Sequence, residues 1–230
     1  MDSHIILDNL IDVEIQNQIE DSMFDCFWEF KMDNTKEIFN NLRKDKYRKF
    51  LNPFTDNISP SIITNILKNK KSFNLIASIT NQACNHIGFK VEQIHRCIGG
   101  IQGVQIIRKG SKISDIHVNQ KFPHLVLLYY VNDSDGDTIF FDKSIDDVEI
   151  NDILMDNPET KYNFDIIDKV SPKKGRILFF DGKRYHASSS PTKGIRCIIT
   201  LDLIGKFEEE VYNNLLPNNE LKKNINNIVY

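Results

Sequence analysis

The chain reads as mainly β with α decorations, a sandwich or jelly-roll barrel behind a helical first third. Three observations carry that reading. The apolar period is helical up to Gly88 and strand-like after it. About seven short β-branched or aromatic runs follow, bounded by Gly, Asp, Asn, Ser or Pro, and no helical pattern of any length separates them.

Ile15, Ile19, Met23, Phe27 and Phe30 recur every three or four residues, which predicts a helix over Ile15 to Phe30. A second helix starts near Asn34 or Thr35. Ser59 and Pro60 form a cap and first-turn pair ahead of Ile62, Ile63, Ile66 and Leu67, and Ser72 caps a helix through Leu75, Ile76 and Ile79 that stops toward Gly88. Strands are expected at Val91 to Cys97, Gln102 to Arg108, His124 to Val131, Asp137 to Phe141, Tyr162 to Ile167, Arg176 to Phe180 and Ile195 to Ile204. A helix from about Lys206 to Leu216 and a polar tail after Pro217 close the chain. The expected organisation is one compact domain: helical support over 1–88, a β core over 89–205, and a C-terminal helix and tail over 206–230.

With 230 residues, 40% of them hydrophobic and 10% aromatic, the chain can bury a full core. A formal charge of −3 creates no general field for nucleic acid. Cys26, Cys84, Cys97 and Cys197 contain no C-x-x-C pair, which points to reduced, mostly buried thiols and away from a disulfide framework or structural zinc. The acidic N-terminus lacks a basic n-region and a long apolar h-region, and no later run reaches membrane-spanning length. A cytoplasmic protein without a membrane partner is the expectation.

The chemistry concentrates in HVNQKFPHLVLLYYVNDSDGDTIFFD, from His117 to Asp142, and RILFFDGKRYHASSSPTKGIRC, from Arg176 to Cys197. Residues two apart on a strand project from one face, so His117 and Asn119 can reach one point. His186 follows the apolar run RILFF and the turn DGKRY, which would bring a second imidazole in from a neighbouring strand. Two imidazoles and an oxygen on adjacent positions make the facial donor set of non-haem iron. A lone strand histidine is more often a hydrogen-bonded structural residue; the conjunction is what argues for a site, and His86, His95 and His124 are left as structural or surface residues.

Arg196 is the sharper signal. In IRCIITLDLI it shares a face with Ile198 and Thr200, opposite Ile195, Cys197, Ile199 and Leu201, so both faces are mainly apolar. A guanidinium buried there needs an anionic partner, and the alternatives are an internal salt bridge or a dicarboxylate ligand held by bidentate hydrogen bonds. The loop from Asn132 to Asp137, NDSDGD, alternates acids but lacks the calcium-loop ligand pattern; a hairpin turn with Gly136 at positive φ is the simpler reading.

From about Val91 to Leu203 the chain resembles the 2-oxoglutarate and iron(II)-dependent dioxygenases. It is most similar to their prolyl-hydroxylase-like branch and to related oxygenases of phages and large DNA viruses, which makes a viral source the expectation. LYYVN with its acidic turn and DTIFF is similar to the family's second core strand and hairpin. RILFFDGKRYHA looks like the strand and turn that carry the distal histidine, and Arg196 falls where the family places its cosubstrate arginine, ten residues after His186.

The resemblance implies a double-stranded β-helix core with the N-terminal helices on its outer face. It implies that His117 and His186 bind iron and that Arg196 holds the distal carboxylate of 2-oxoglutarate with help from the phenol of Tyr130. Tyr129 points to the other face, and Thr138 and Thr200 line the pocket. Fe(II), 2-oxoglutarate and O2 are the implied cofactors, with ascorbate as the assay reductant. The reaction would hydroxylate a protein side chain, a nucleobase or a small metabolite and release succinate and CO2.

Asn119 departs from the family, which carries an aspartate there. As the third metal residue its amide oxygen is a neutral, poorer ligand, and Asp115, on the N-terminal side of His117, would approach from another direction. The open readings are an active hydroxylase, a pseudoenzyme that keeps the pocket, and a halogenase-like variant. Outside enzymology stands a jelly-roll binding module with both histidines buried for packing.

Overall fold

Alternating side chains sort nearly every run after Gly88 into one face toward a shared interior and one face outward. The computed structural model describes residues 4–24, 29–31, 49–53, 70–103, 116–147 and 164–215, with Leu221 and Ile225. Among them are ten strands and three α-helices. In chain order they are β1 (His4–Leu7), α1 (Val13–Phe24), β2 (Glu29–Lys31), β3 (Lys49–Pro53), α2 (Lys70–His86), β4 (Phe89–Gly103), β5 (Leu125–Tyr130), β6 (Thr138–Ser144), β7 (Ile166–Val170), β8 (Ile177–Asp181), β9 (Arg184–Ser188), β10 (Ile195–Phe207) and α3 (Glu209–Leu215).

Two antiparallel sheets face each other. The larger runs β1-β8-β5-β10-β4-β3-β2 and the smaller β7-β6-β9. Between them Val126, Leu128 and Tyr130 of β5, Leu178 and Phe180 of β8, Phe140 of β6 and Val170 of β7 form one buried cluster with Ile198 of β10. The other face of the large sheet, including Leu125, Leu127, Tyr129, Phe179, Cys197, Ile199 and Leu201, packs in a second cluster with Ile19 and Met23 of α1 and Ile76, Ile79 and Ala83 of α2. This is the expected double-stranded β-helix with helices on its outer face. The fully buried apolar side chains, each worth about 1.5–3 kcal/mol of transfer free energy, lie mostly in these two layers.

Several sequence expectations need correction. The first helix is described over Val13–Phe24, and Phe30 lies in β2; Phe27 is outside the described residues. The first 88 residues are not only helical, since β1, β2 and β3 join the large sheet. Ser72 lies inside α2, which starts at Lys70, whereas Gly88 after its end does take positive φ. The strands expected at Val91 to Cys97 and Gln102 onward are one strand, β4, because the Gly99-Gly100 pair is held in register between β10 and β3. Lys206 and Phe207 belong to β10, and the last helix starts at Glu209. The helices expected near Asn34 and at Ser59, together with Arg108, Asp115 and Tyr162, lie outside the described residues.

The Asn132–Asp137 loop is not a hairpin. It carries the chain from β5 in one sheet to β6 in the other, and Gly136 is not among the glycines with positive φ. Its acids diverge: Asp133 accepts from the Lys174 backbone at 2.8 Å, Asp135 from the Thr192 backbone at 2.9 Å, and Asp137 from Ser171 Oγ at 2.7 Å. Each carboxylate ties down a different neighbouring segment, which explains the alternation without calcium.

Candidate active site

The interior faces of β4, β5, β6, β9 and β10 bring the polar side chains together. Ile116 and Val118 pack outward against Ile139, Phe141, Tyr185 and Ala187, so alternation turns His117 and Asn119 inward. The backbones of His117 and His186 exchange both hydrogen bonds, at 3.0 and 2.9 Å. This direct cross-strand pairing sets their ring centroids 4.5 Å apart. His186 is buried and packs edge-on against Phe180, whereas His117 is exposed. His186 Nδ1 lies 2.9 Å from the Arg184 carbonyl, which only accepts; Nδ1 therefore carries a hydrogen, and Nε2 is the ring nitrogen that could meet a metal.

Asn119 is fixed at both ends. Its backbone N–H donates to Gly182 O at 3.0 Å, and its side-chain Nδ2 donates to Asp202 Oδ1 at 2.8 Å. A carboxylate only accepts, so the amide nitrogen faces Asp202 and the amide oxygen is turned from it. Asp202 is fully buried and ion-paired with Arg96, Nε to Oδ2 at 2.7 Å, with Nη2 donating to Oδ1 at 3.3 Å.

His124, also fully buried, places Nε2 3.8 Å from Asp202 Oδ1 while Nδ1 donates to the Phe122 carbonyl at 2.8 Å. Burial holds its imidazole below the usual histidine range against the opposing pull of Asp202. His124 is thus neither a surface residue nor a lone one. Asp202 and Arg96 were not singled out in the sequence, although the parity that pairs Arg196 with Thr200 reaches Asp202 two residues further on.

At the other end of β10, Arg196 is 4% exposed. Its Nη2 donates to Thr138 Oγ1 at 2.8 Å, its guanidinium carbon lies 5.7 Å from the centre of the Tyr130 ring, and the Tyr130 hydroxyl shares a 2.7 Å hydrogen bond with Thr138. No carboxylate pairs with it among the described residues, and its Nε is buried without a hydrogen-bond partner. Burial lowers the guanidinium from the ordinary arginine value, with Tyr130 and Asp137 pulling the other way. The same burial raises the Tyr130 phenol.

Gln102, opposite Arg196 on β4, accepts from Ser188 Oγ at 3.1 Å and donates to Ser190 Oγ at 3.2 Å, adding a polar wall. Thr200 is buried on the same face of β10. Tyr129 lies in the other core layer, where burial raises its phenol.

A buried cation with an unpartnered N–H suits an anionic ligand, so the Arg196 end fits a carboxylate. At the histidine end the donor set fits iron less fully. Among the described residues no three His, Cys, Asp or Glu side chains are grouped to hold a metal. What is present is two imidazoles beside a neutral amide.

No protein-family model and no curated protein matches the chain. Solved structures do. A prolyl hydroxylase from Trichoplax adhaerens, solved with a hypoxia inducible factor oxygen degradation domain peptide fragment, is 12% identical; the match covers 93% of this chain and 87% of that one, with a TM-score of 0.52. A 2OG-Fe(II) oxygenase family oxidoreductase from Burkholderia pseudomallei is 8% identical over 87% and 84%, with a TM-score of 0.51. A prolyl-4-hydroxylase from Pseudomonas putida is 11% identical over 87% and 92%, with a TM-score of 0.51. The chain has the fold of the 2-oxoglutarate and iron(II)-dependent oxygenases.

Proposed function

We propose that the protein is an oxygenase dependent on iron(II) and 2-oxoglutarate. The observation that carries this reading is Arg196: a guanidinium buried between the sheets, bonded to Thr138 and set over Tyr130, with Nε unpartnered and no carboxylate paired with it among the described residues. On this reading His117 and His186 hold the metal with the Asn119 amide as a neutral third group, and Arg196 receives the far carboxylate of the cosubstrate. When bound, iron(II) and 2-oxoglutarate supply, with O2, the oxidising power that hydroxylates a C–H bond and releases succinate and CO2.

The chain's own contribution is placement. Thr138 and Tyr130 fix the guanidinium, and a fixed fork grips a carboxylate with less loss of rotamer freedom than a mobile one. Leu128, Phe140, Phe180 and Ile198 close the interior around the pocket. Excluding water in this way strengthens every charge interaction inside.

Hydroxylation of a protein side chain, nucleobase or small metabolite is the expected outcome. We place the reaction in the cytoplasm, a reading supported by Cys84, Cys97 and Cys197, which are buried and in no disulfide; burial raises the Cys84 thiol to about 12.

The test is succinate formation from 2-oxoglutarate with added iron(II), ascorbate and O2, which needs no knowledge of the substrate. Losing a buried charge partner typically costs 2–5 kcal/mol. Arg196→Ala should therefore raise the 2-oxoglutarate requirement by about 30-fold or more while moving the iron requirement little, and Tyr130→Phe should do the same more mildly. Equal rises in both requirements would make Arg196 a structural residue and remove the support for the reading.

A further inference from the structure

We infer that Asn119 and Asp202 form a coupled pair in which the acid stands at 202 instead of 119, so that Asp202 is a positioning residue for the metal pocket. The inference rests on the oxygenase reading for the pocket's purpose, but the coupling itself stands on geometry. Asp202 is fully buried on the inward face of β10, directly opposite Arg96 on β4 and Val126 on β5. Oδ1 accepts from Asn119 Nδ2 and from Arg96 Nη2, while Oδ2 has Arg96 Nε at 2.7 Å as an ion-pair contact without a hydrogen bond. The amide at 119 is therefore the neutral donor that a buried carboxylate at this distance demands.

This changes what Asn119 means. Taken alone it looks like a lesion in an iron site, to be repaired by Asn119→Asp. Beside Asp202 it is required, because an aspartate at 119 would set two carboxyl groups face to face across 2.8 Å, which can stay together only if one of them gives up its charge. Arg96, already ion-paired with Asp202, would be the one cation left to answer both among the described residues. The single repair should therefore strain the pocket, whereas exchanging the two residues should restore a donor–acceptor pair with the charge moved to 119. In the exchanged form the carboxylate stands beside His117, where a metal can use it.

Four proteins test this: the native chain, Asn119→Asp, Asp202→Asn, and the double exchange. Each is melted without metal and titrated with cobalt(II), read by its visible absorption. Asn119→Asp and Asp202→Asn should each melt several degrees lower, and the double exchange should recover most of both losses, so that the shifts are far from additive. Cobalt should bind the double exchange about tenfold or more tighter than the native chain, and Asn119→Asp should show a smaller gain than the double.

Additive melting shifts, or an Asn119→Asp protein as stable as the native chain, would overturn the pairing. So would a single Asn119→Asp protein that binds cobalt as tightly as the double. If the melting shifts couple but no variant binds cobalt, the pair stands while the two-histidine metal site and Asp202's positioning role fall.

Discussion

Gly136 lies where the β5–β6 crossing passes Arg196. A Cβ there would come within 2.8 Å of the Ser189 carbonyl oxygen and 3.1 Å of Arg196 Cδ. The glycine serves close approach and not a left-handed turn, which is why turn chemistry misread it. Backbone oxygen cannot move aside as a side-chain tip can, so Gly136→Ala should cost about 1–3 kcal/mol of stability and displace the guanidinium. We expect a lower melting temperature together with a raised 2-oxoglutarate requirement. A variant with unchanged cosubstrate dependence would show that the loop does not position Arg196.

Legibility at this scale followed chemistry that breaks a pattern. Arg196 stands out because it interrupts an apolar strand, and the structure sets it against Tyr130 and Thr138. Asp202 stands on the same strand and the same face, between Leu201 and Leu203. Its partner Arg96 is over a hundred residues away, so spacing carries no trace of the pair.

Among the elements, the strands read correctly are the continuous apolar ones. LVLLYY in β5 and ILFFD in β8 are buried on both faces and need no partner to be recognised. RYHAS in β9 has no apolar run to mark where it starts, so Arg184 and Tyr185 read as the end of the turn DGKRY although both already belong to the strand. HIIL in β1 is four residues long and gains its strand character only by pairing with β8.

The end of β1 is fastened by Asp8, whose carboxylate takes two 2.8 Å hydrogen bonds from Arg176. Arg176 holds the Asp8 carboxyl below its ordinary value of 3.8. Because the folded value is depressed, this contribution is present above the unfolded value and disappears as pH falls through the folded one. A partly exposed bidentate pair is worth about 1 kcal/mol. Asp8→Asn should thus melt lower than the native chain at neutral pH, with the gap closing as the pH drops below 3.8. A gap that stays constant across that range would mean the effect is not electrostatic.

At the level of the molecule, two facing sheets turn separate segments of chain into one pocket with distinct ends. His117 and His186 meet by direct cross-strand pairing between an isolated bridge residue and β9. Arg196, Thr138 and Tyr130 meet because β5, β6 and β10 present their inward faces to one interior. The jelly-roll class was legible from the change of period and the even spacing of the runs. The order of strands in the sheets was not, because β1 and β8, or β4 and β10, pair over separations that local pattern does not encode. Among the described residues no helix is long and apolar enough to cross a membrane.

If the oxygenase reading holds, this interior binds iron and 2-oxoglutarate together. The direct measurement is an anaerobic titration of the protein with excess iron(II) and 2-oxoglutarate, following the visible charge-transfer absorption of the chelate, beside His186→Ala and Arg196→Ala. The native chain should develop the band, His186→Ala should lose it, and Arg196→Ala should require far more 2-oxoglutarate to reach it. A native protein that develops no band at saturating iron and cosubstrate, or a His186→Ala protein that develops the same one, would contradict the assignment.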